Sequence, residues 1–277
     1  MGASLFENAL VDTCTLDEVA KIWTIRCADK RTFQCRLLIC ADGAASNVAR
    51  KLGLVLTAPD GVAARQYVKG GTHNFKADGV LLYPEYTLPG YMALFRHFDD
   101  SIDLGAYLLP GGAATESDLP KIYSDKIKTD PFISRALGPN WEPLERVKVA
   151  SLRLGGVDQS YGDQVLIVGD AAGHIDPLTG EGIHLGMMAG KLAAQTALDM
   201  LEKNNLSKSE AKRYHDAWWK LFGSDFPISS VAGRVVYKAP FLMDAVPIAA
   251  ASKGSGKAGW FFFFIIGSCC IYTYMEY

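Results

Sequence analysis

The chain has 277 residues, 49 % of them hydrophobic and 21 % charged, and its 28 Lys and Arg against 30 Asp and Glu leave a net charge of −2. That composition suits a folded chain with a sizeable core, long enough for one large domain or two ordinary ones, and excludes a disordered or collagen-like polypeptide. With no basic excess to neutralise a phosphate backbone, nucleic acid is not expected as a partner.

The first eight residues carry no basic segment followed by an apolar one, so they do not read as a signal peptide. Residues 19–27 alternate apolar and polar side chains and predict a strand, with a turn at 28–31. Residues 32–40 predict a second strand. Its end, Leu37-Leu38-Ile39-Cys40, is continuously apolar and suits a strand covered on both faces. Asp42-Gly43 stops it, and Ser46 can cap a short helix carrying Val48, Ala49 and Leu52 before Gly53. Residues 62–68, 80–86, 91–98 and 102–109 then read as successive antiparallel strands, with Asp99-Asp100-Ser101 as a hairpin turn. A helix is expected over 119–137, broken by Pro139 and Pro143. Residues 146–154 predict a strand, and 164–168 a short buried one. A glycine-rich turn leads into a long helix over 183–202. A further helix starts at Ser207, where Ser207 and Glu210 fit a capping box. α/β sequence thus flanks a central β block, as in a nucleotide-binding layer interrupted by a substrate-covering sheet.

Residues 258–275 carry no charge and follow Lys253 and Lys257. They are just long enough for a tail anchor, with a buried segment or a non-native tail as the alternatives. Cys14, Cys27, Cys35, Cys40, Cys269 and Cys270 show neither C-x-x-C nor zinc-finger spacing, so a reducing, intracellular compartment, no structural disulfides and no metal site are expected. Gly254-Ser255-Gly256-Lys257-Ala258-Gly259 fits Gly-x-Gly-x-x-Gly but follows no buried strand, and reads as a linker.

The chemistry concentrates in Val165-Leu166-Ile167-Val168-Gly169-Asp170-Ala171-Ala172-Gly173-His174-Ile175-Asp176-Pro177-Leu178-Thr179-Gly180-Glu181-Gly182-Ile183. This is a buried strand, a carboxylate at its C-terminal end, a Pro/Gly loop and a helix N-terminus. Ligands of open α/β sheets bind at strand C-termini. A carboxylate there accepts from a ribose or polyol hydroxyl, and the helix N-terminus favours negative charge. Pro177, Gly180 and Gly182 allow a flat ligand close to the backbone. His174 and His184 flank the loop and are candidates to face a ligand.

This segment resembles the second FAD-binding motif of the p-hydroxybenzoate-hydroxylase-like flavoproteins. Asp42-Gly43-Ala44-Ala45-Ser46-Asn47-Val48-Ala49-Arg50 is similar to the Asp-Gly motif of that family, which lies near the cofactor pyrophosphate. Leu88-Pro89-Gly90-Tyr91 and Asp176-Pro177-Leu178-Thr179-Gly180-Glu181-Gly182-Ile183 resemble the geranylgeranyl reductase branch; Met92-Ala93-Leu94-Phe95 departs from it after Tyr91. The resemblance, over roughly residues 3–225, implies an α/β fold with α+β character. In it an incomplete FAD-binding, Rossmann-like layer is interrupted by a mostly antiparallel substrate-domain sheet and followed by C-terminal helices. The layer would take residues 1–53 and 151–202, the substrate sheet and its helix 54–150, the helical region 203–252, and the linker and tail 253–277. The first Gly-rich βαβ unit of the family has no counterpart here, so an incomplete chain and weak FAD retention are expected.

The resemblance implies FAD as cofactor and NAD(P)H or another electron donor. Asp42, Gly43, Arg50, Gly169, Asp170, Ala171, Pro177, Thr179, Gly180, Glu181, Gly182 and Ile183 would lie at the cofactor, with Tyr91, His174 and His184 on the substrate side. The implied activity is reduction of isoprenoid C=C bonds. The alternatives are a flavin monooxygenase and a non-catalytic remnant that binds lipid or a partner.

Overall fold

The computed structural model describes residues 2–71, 79–112 and 114–238; the apolar tail, Lys253, Lys257, Cys269 and Cys270 lie outside them. The chain forms two units. The first comprises residues up to Pro59, Leu152–Asp176 and Glu181–Ile228; the second takes Asp60–Ser151, Pro177–Gly180 and the described residues from Ser229 onward.

In the first unit, β1 (Val11–Asp17), β2 (Ile22–Cys27) and β3 (Thr32–Cys35) form an antiparallel sheet in that order. The strand expected over 19–27 begins only at Ile22. The Asp17 carboxylate accepts from the Val19 and Ala20 N–H groups, at 2.9 and 2.8 Å, and so holds 18–21 in a turn. The strand expected over 32–40 is split in two. β4 (Leu38–Cys40) leaves the first sheet to pair with β12 (Val165–Ile167), itself antiparallel to β11 (Tyr161–Gly162).

Gln164 sits at that junction. Its buried amide donates to the Lys21 carbonyl at 2.7 Å and the Arg36 carbonyl at 2.6 Å. Its own carbonyl accepts from Trp23 Nε1 at 2.8 Å and from the Leu38 N–H at 2.9 Å. Four polar groups are thus satisfied around one buried side chain, which fixes where the first sheet ends and the second begins. β4 lies at one side of its sheet and is not covered on both faces: Ile39 is 42 % exposed. Ser46 does cap α1 (Asn47–Lys51), its Oγ accepting from the Ala49 N–H at 3.0 Å.

The second unit contains β5 (Gly61–Lys69), β6 (Gly79–Leu82), β7 (Gly90–Arg96), β8 (Ile102–Leu108), β9 (Glu142–Pro143) and β10 (Lys148–Leu152, whose last residue falls in the first unit). The sheet runs β10-β5-β8-β7-β6, and β9 also pairs with β5. The β7–β8 turn closes through the His97 N–H to the Ser101 carbonyl at 2.8 Å.

Alternation gives this sheet two faces. Ala64, Val68, Met92, Leu94, Leu104 and Ala106 pack against the helical segment after β8, whereas Tyr91 and Tyr107 point to the other side. The expected helix over 119–137 is interrupted. α2 (Leu119–Lys121) and α3 (Ile127–Thr129) are joined by a π-helical turn at Ile122–Lys126, and α4 (Pro131–Leu137) starts afresh. Asp130, extended before a proline, accepts from the Phe132 and Ile133 N–H groups at 2.9 and 3.1 Å and so begins a new helix.

α5 (Ile183–Glu202) and α6 (Lys208–Phe222) cover β12, with α7 (Asp225–Lys238) following. Their core joins Leu166 and Val168 to Leu185, Ala189, Ala193, Tyr214 and Trp218. The Ser207–Glu210 capping box does not form. Ser207 Oγ pairs with Ser209 Oγ at 2.9 Å, and the Asp163 carboxylate takes the first-turn N–H of Lys208 at 3.0 Å.

Gly90 starts β7 with φ +149, and a Cβ there would lie 2.0 Å from the Tyr107 carbonyl oxygen. Gly90→Ala must therefore push two hydrogen-bonded strands apart. Urea unfolding should show a loss of at least about 2 kcal/mol; unchanged stability would mean that β7 and β8 are not this close.

Candidate functional site

β4 and β12 run parallel, with Leu38 opposite Val165, Ile39 opposite Leu166, and Cys40 opposite Ile167. The Val168 N–H extends the ladder to the Cys40 carbonyl at 2.9 Å. Both strands therefore end at the same edge, and Asp42 and Asp170 follow within about three residues. The Asp42 carboxylate accepts from Ser46 Oγ at 2.6 Å and from the Val48 N–H at 3.3 Å, which ties the Asp-Gly turn to the start of α1. Gly43 has φ +80, and open space surrounds the position where a Cβ would stand.

The second turn is tighter. Gly169–Ala172 is a single 3-10 turn between two glycines of positive φ, Gly169 (+61) and Gly173 (+69). The Gly173 N–H closes on the Asp170 carbonyl and the His174 N–H on the Gly169 carbonyl, both at 3.1 Å. Ala171 turns its methyl into the core. Asp170 is half-buried, and burial raises its carboxyl above the usual range. Its carboxylate makes no hydrogen bond to any described residue. It faces Gly182, where a Cβ would stand 3.4 Å from Asp170 Oδ1 and 2.9 Å from Ile175 Cγ1. The missing side chain keeps the approach to the carboxylate open.

Gly182 is also the N-cap of α5, and no side chain caps that end. The first N–H groups of a 20-residue helix thus begin beside the loop. Gly186, one turn on, brings the helix against Gly169: a Cβ on Gly186 would stand 3.6 Å from the Gly169 Cα. Ile183, by contrast, is 84 % exposed.

The Asp176 N–H donates to the Glu181 carbonyl at 2.8 Å and closes a loop around Pro177–Gly180. Those four residues belong to the second unit. There the Tyr91 hydroxyl donates to the Thr179 carbonyl at 2.5 Å, and Gly180 (φ +70) leaves its Cβ position 3.5 Å from the Tyr91 oxygen. Tyr91 stacks on Tyr107 with centroids 4.6 Å apart and leans on Tyr83 at 5.9 Å. Burial pushes the Tyr83 hydroxyl up to about 12 and raises that of Tyr107. Tyr91, expected on the substrate side, thus holds the backbone of the Pro/Gly loop with its hydroxyl.

The remaining candidates are dispersed. Arg50 is exposed and its guanidinium bonds Asn47 Oδ1 at 2.8 Å. Glu181 and His184 pair with each other at 2.9 Å on the surface. His174 is 1 % exposed and stacks on Trp218, ring centroids 3.9 Å apart, inside the first unit. Sequence reading missed Gln164, at the junction of the two sheets, and Arg153, a buried cation whose guanidinium donates to the carbonyls of Ala44 and Thr57. Neither belongs to a motif, and no spacing announces them.

No family model matches the chain. Over 92 % of its length it is 45 % identical to conditioned medium factor receptor 1 of Dictyostelium discoideum, covering 51 % of that protein. Over 72 % of its length it is 30 % identical to digeranylgeranylglycerophospholipid reductase 2 of Methanopyrus kandleri, again covering 51 % of the relative. A geranylgeranyl bacteriochlorophyll reductase-like protein from Thermoplasma acidophilum shares the fold, with a TM-score of 0.70 and 19 % identity over 91 % of this chain and 62 % of that one.

The chain is a relative of the digeranylgeranylglycerophospholipid reductases and shares the fold of a geranylgeranyl reductase-like protein. It spans about half the length of the curated relatives it matches. The halogenase PltM, solved in complex with phloroglucinol and FAD, has the same fold at a TM-score of 0.57 and 16 % identity, over 75 % of this chain and 45 % of that one. Among the described residues, no helix is long and apolar enough to cross a membrane.

The His174 placement has a consequence for acid stability. Burial against Trp218 pushes its imidazole from 6.5 down to about 3. The native chain therefore refuses a proton that the unfolded chain accepts. Stability should be full above pH 6.5 and fall as the pH drops from there towards about 3. Thermal midpoints measured across that window should fall less for His174→Phe than for the parent chain. Parallel curves would show that another group carries the acid sensitivity.

Proposed function

We propose that this chain is the flavin-holding part of an FAD-dependent oxidoreductase that reduces C=C bonds of an isoprenoid group. One observation carries the reading. Asp170, half-buried and without a hydrogen-bond partner among the described residues, stands at the end of β12 facing a position kept free by Gly182. Burying a carboxylate without donors is costly, and a cofactor bearing ribityl or ribose hydroxyls would supply them. The residues at this edge fit FAD in kind: a carboxylate for hydroxyls, an uncapped helix N-terminus for anionic charge and glycines for close approach.

In this reading Asp170 and the first N–H groups of α5 hold the cofactor from the first unit, with Gly43 leaving room at the neighbouring strand end. Thr179 and Gly180 are held in position by Tyr91, within the second unit. Bound flavin would supply the hydride chemistry, fed by a donor such as NAD(P)H; the protein orients it and sets its electrostatics. The aromatic face of Tyr83, Tyr91 and Tyr107 suits an apolar, unsaturated chain better than a charged substrate.

A second reading, a binding module without turnover, is favoured by one finding: the 45 % identical relative is named a receptor. Turnover separates the two. A chain that binds FAD but leaves a geranylgeranyl lipid unsaturated when the flavin is chemically reduced is a binding module.

The binding test comes first. FAD titrated into the 277-residue chain should quench flavin fluorescence, and Asp170→Ala should weaken that binding about tenfold or more, as loss of a charge-assisted hydrogen bond implies. Equal affinity in the two proteins would remove Asp170 from the site, and no binding by the parent chain would remove the flavin.

A further inference from the structure

Arg153 belongs to neither motif, yet its side chain reaches both. It follows β10, is 6 % exposed, and carries a charge into the interior of the first unit. One guanidinium nitrogen donates to the Thr57 carbonyl and hydroxyl oxygens, each at 2.8 Å. The other donates to the Ala44 carbonyl at 2.9 Å, two residues beyond Asp42. A buried guanidinium is tolerated where oxygen acceptors replace its hydration, and their directions fix its fork in one orientation.

The alkyl stem of the same side chain meets the second motif. A Cβ on Gly173 would stand 3.1 Å from Arg153 Cγ and 3.1 Å from Gly156 Cα. The backbone beyond Arg153 is laced to that motif as well. The Gly156 N–H donates to the Gly173 carbonyl at 2.7 Å, Val157 N–H to Ala172 at 3.0 Å and Gly155 N–H to Ile175 at 2.9 Å. Residues 153–157 therefore lie along Ala172–Ile175, at the end of the Gly169–Ala172 turn, while the guanidinium grips the turn after β4. The two turns leave adjacent parallel strands only three residues long, and so short a ladder leaves the turns beyond it free to splay.

We infer that Arg153 is a positioning residue that locks the Asp42–Ala44 turn and the Gly169–Gly173 turn into one edge. Loosening one turn then loosens the other. The consequence for FAD rests on the flavin reading; the lock itself does not.

Amide hydrogen exchange on the full chain tests it. Arg153→Lys keeps the charge, but a single ammonium lacks the fork that serves Thr57 and Ala44 together. Exchange at Ser46 and at Gly156, Gly173 and His174 should accelerate together, by about tenfold, with β7 and β8 unchanged. Acceleration in one turn only, in neither, or equally in β7 and β8 would overturn the lock. If Arg153→Lys fails to fold, Thr57→Val, which removes one acceptor, should give a smaller acceleration in the same two places and is judged by the same criteria. FAD affinity measured on the same proteins separates the two claims. Coupled exchange with no FAD binding by any of them leaves the lock standing and sinks the flavin reading. FAD binding by the parent chain without coupled exchange in the variants does the reverse.

Discussion

The ladder between Leu38–Cys40 and Val165–Ile167 joins segments more than a hundred residues apart, and the whole second unit's sheet is inserted between them. It is only three residue pairs long, extended by the Val168 N–H to the Cys40 carbonyl. Because the two strands are parallel, both chain segments emerge at one edge. An antiparallel pairing would have sent Asp42 and Asp170 to opposite ends. That direction brings the Asp170 carboxylate to the same edge as the Asp42-Gly43 turn.

So short a ladder needs support, and the first unit supplies it in layers. Gln164 fixes the start of both strands through bonds to Lys21, Arg36, Trp23 and Leu38. The Tyr214 hydroxyl, on α6, donates to the Ile167 carbonyl at 2.9 Å and meets a β12 acceptor from above. Small residues let α5 come close: Gly186 approaches Gly169, and Ala189 and Ala193 are buried beneath. Each of these contacts stabilises the strand ends rather than a ligand. Among the described residues they leave the half-buried carboxylate of Asp170 without a hydrogen-bond partner and the first N–H groups of α5 without a side-chain cap.

Much of this was legible in the sequence. The apolar runs at 37–40 and 165–168, each followed by an acidic residue and glycine, announced two strand ends of one layer. The alternation of residues 62–109 announced the antiparallel sheet. Helix α5 begins and ends where its pattern does. What escaped notice depends on contacts between distant residues. The break between β3 and β4 is set by Gln164, far along the chain. The cap of α6 comes from Asp163 rather than from the local Ser207–Glu210 pattern. His174 looked ligand-facing because it sits in the motif, but the aromatic partner that buries it, Trp218, is on α6. Local pattern reports periodicity and turns; it does not report which side chain reaches a carbonyl from another element.

On the proposed function, the two turns beyond β4 and β12 hold one ligand. Amide chemical shifts of the isotopically labelled chain, followed as FAD is added, test it most directly. Resonances of Gly43–Ser46 and Gly169–Gly173 should move together along a single binding curve. Movement of one group alone, or of the two with separate midpoints, would contradict it.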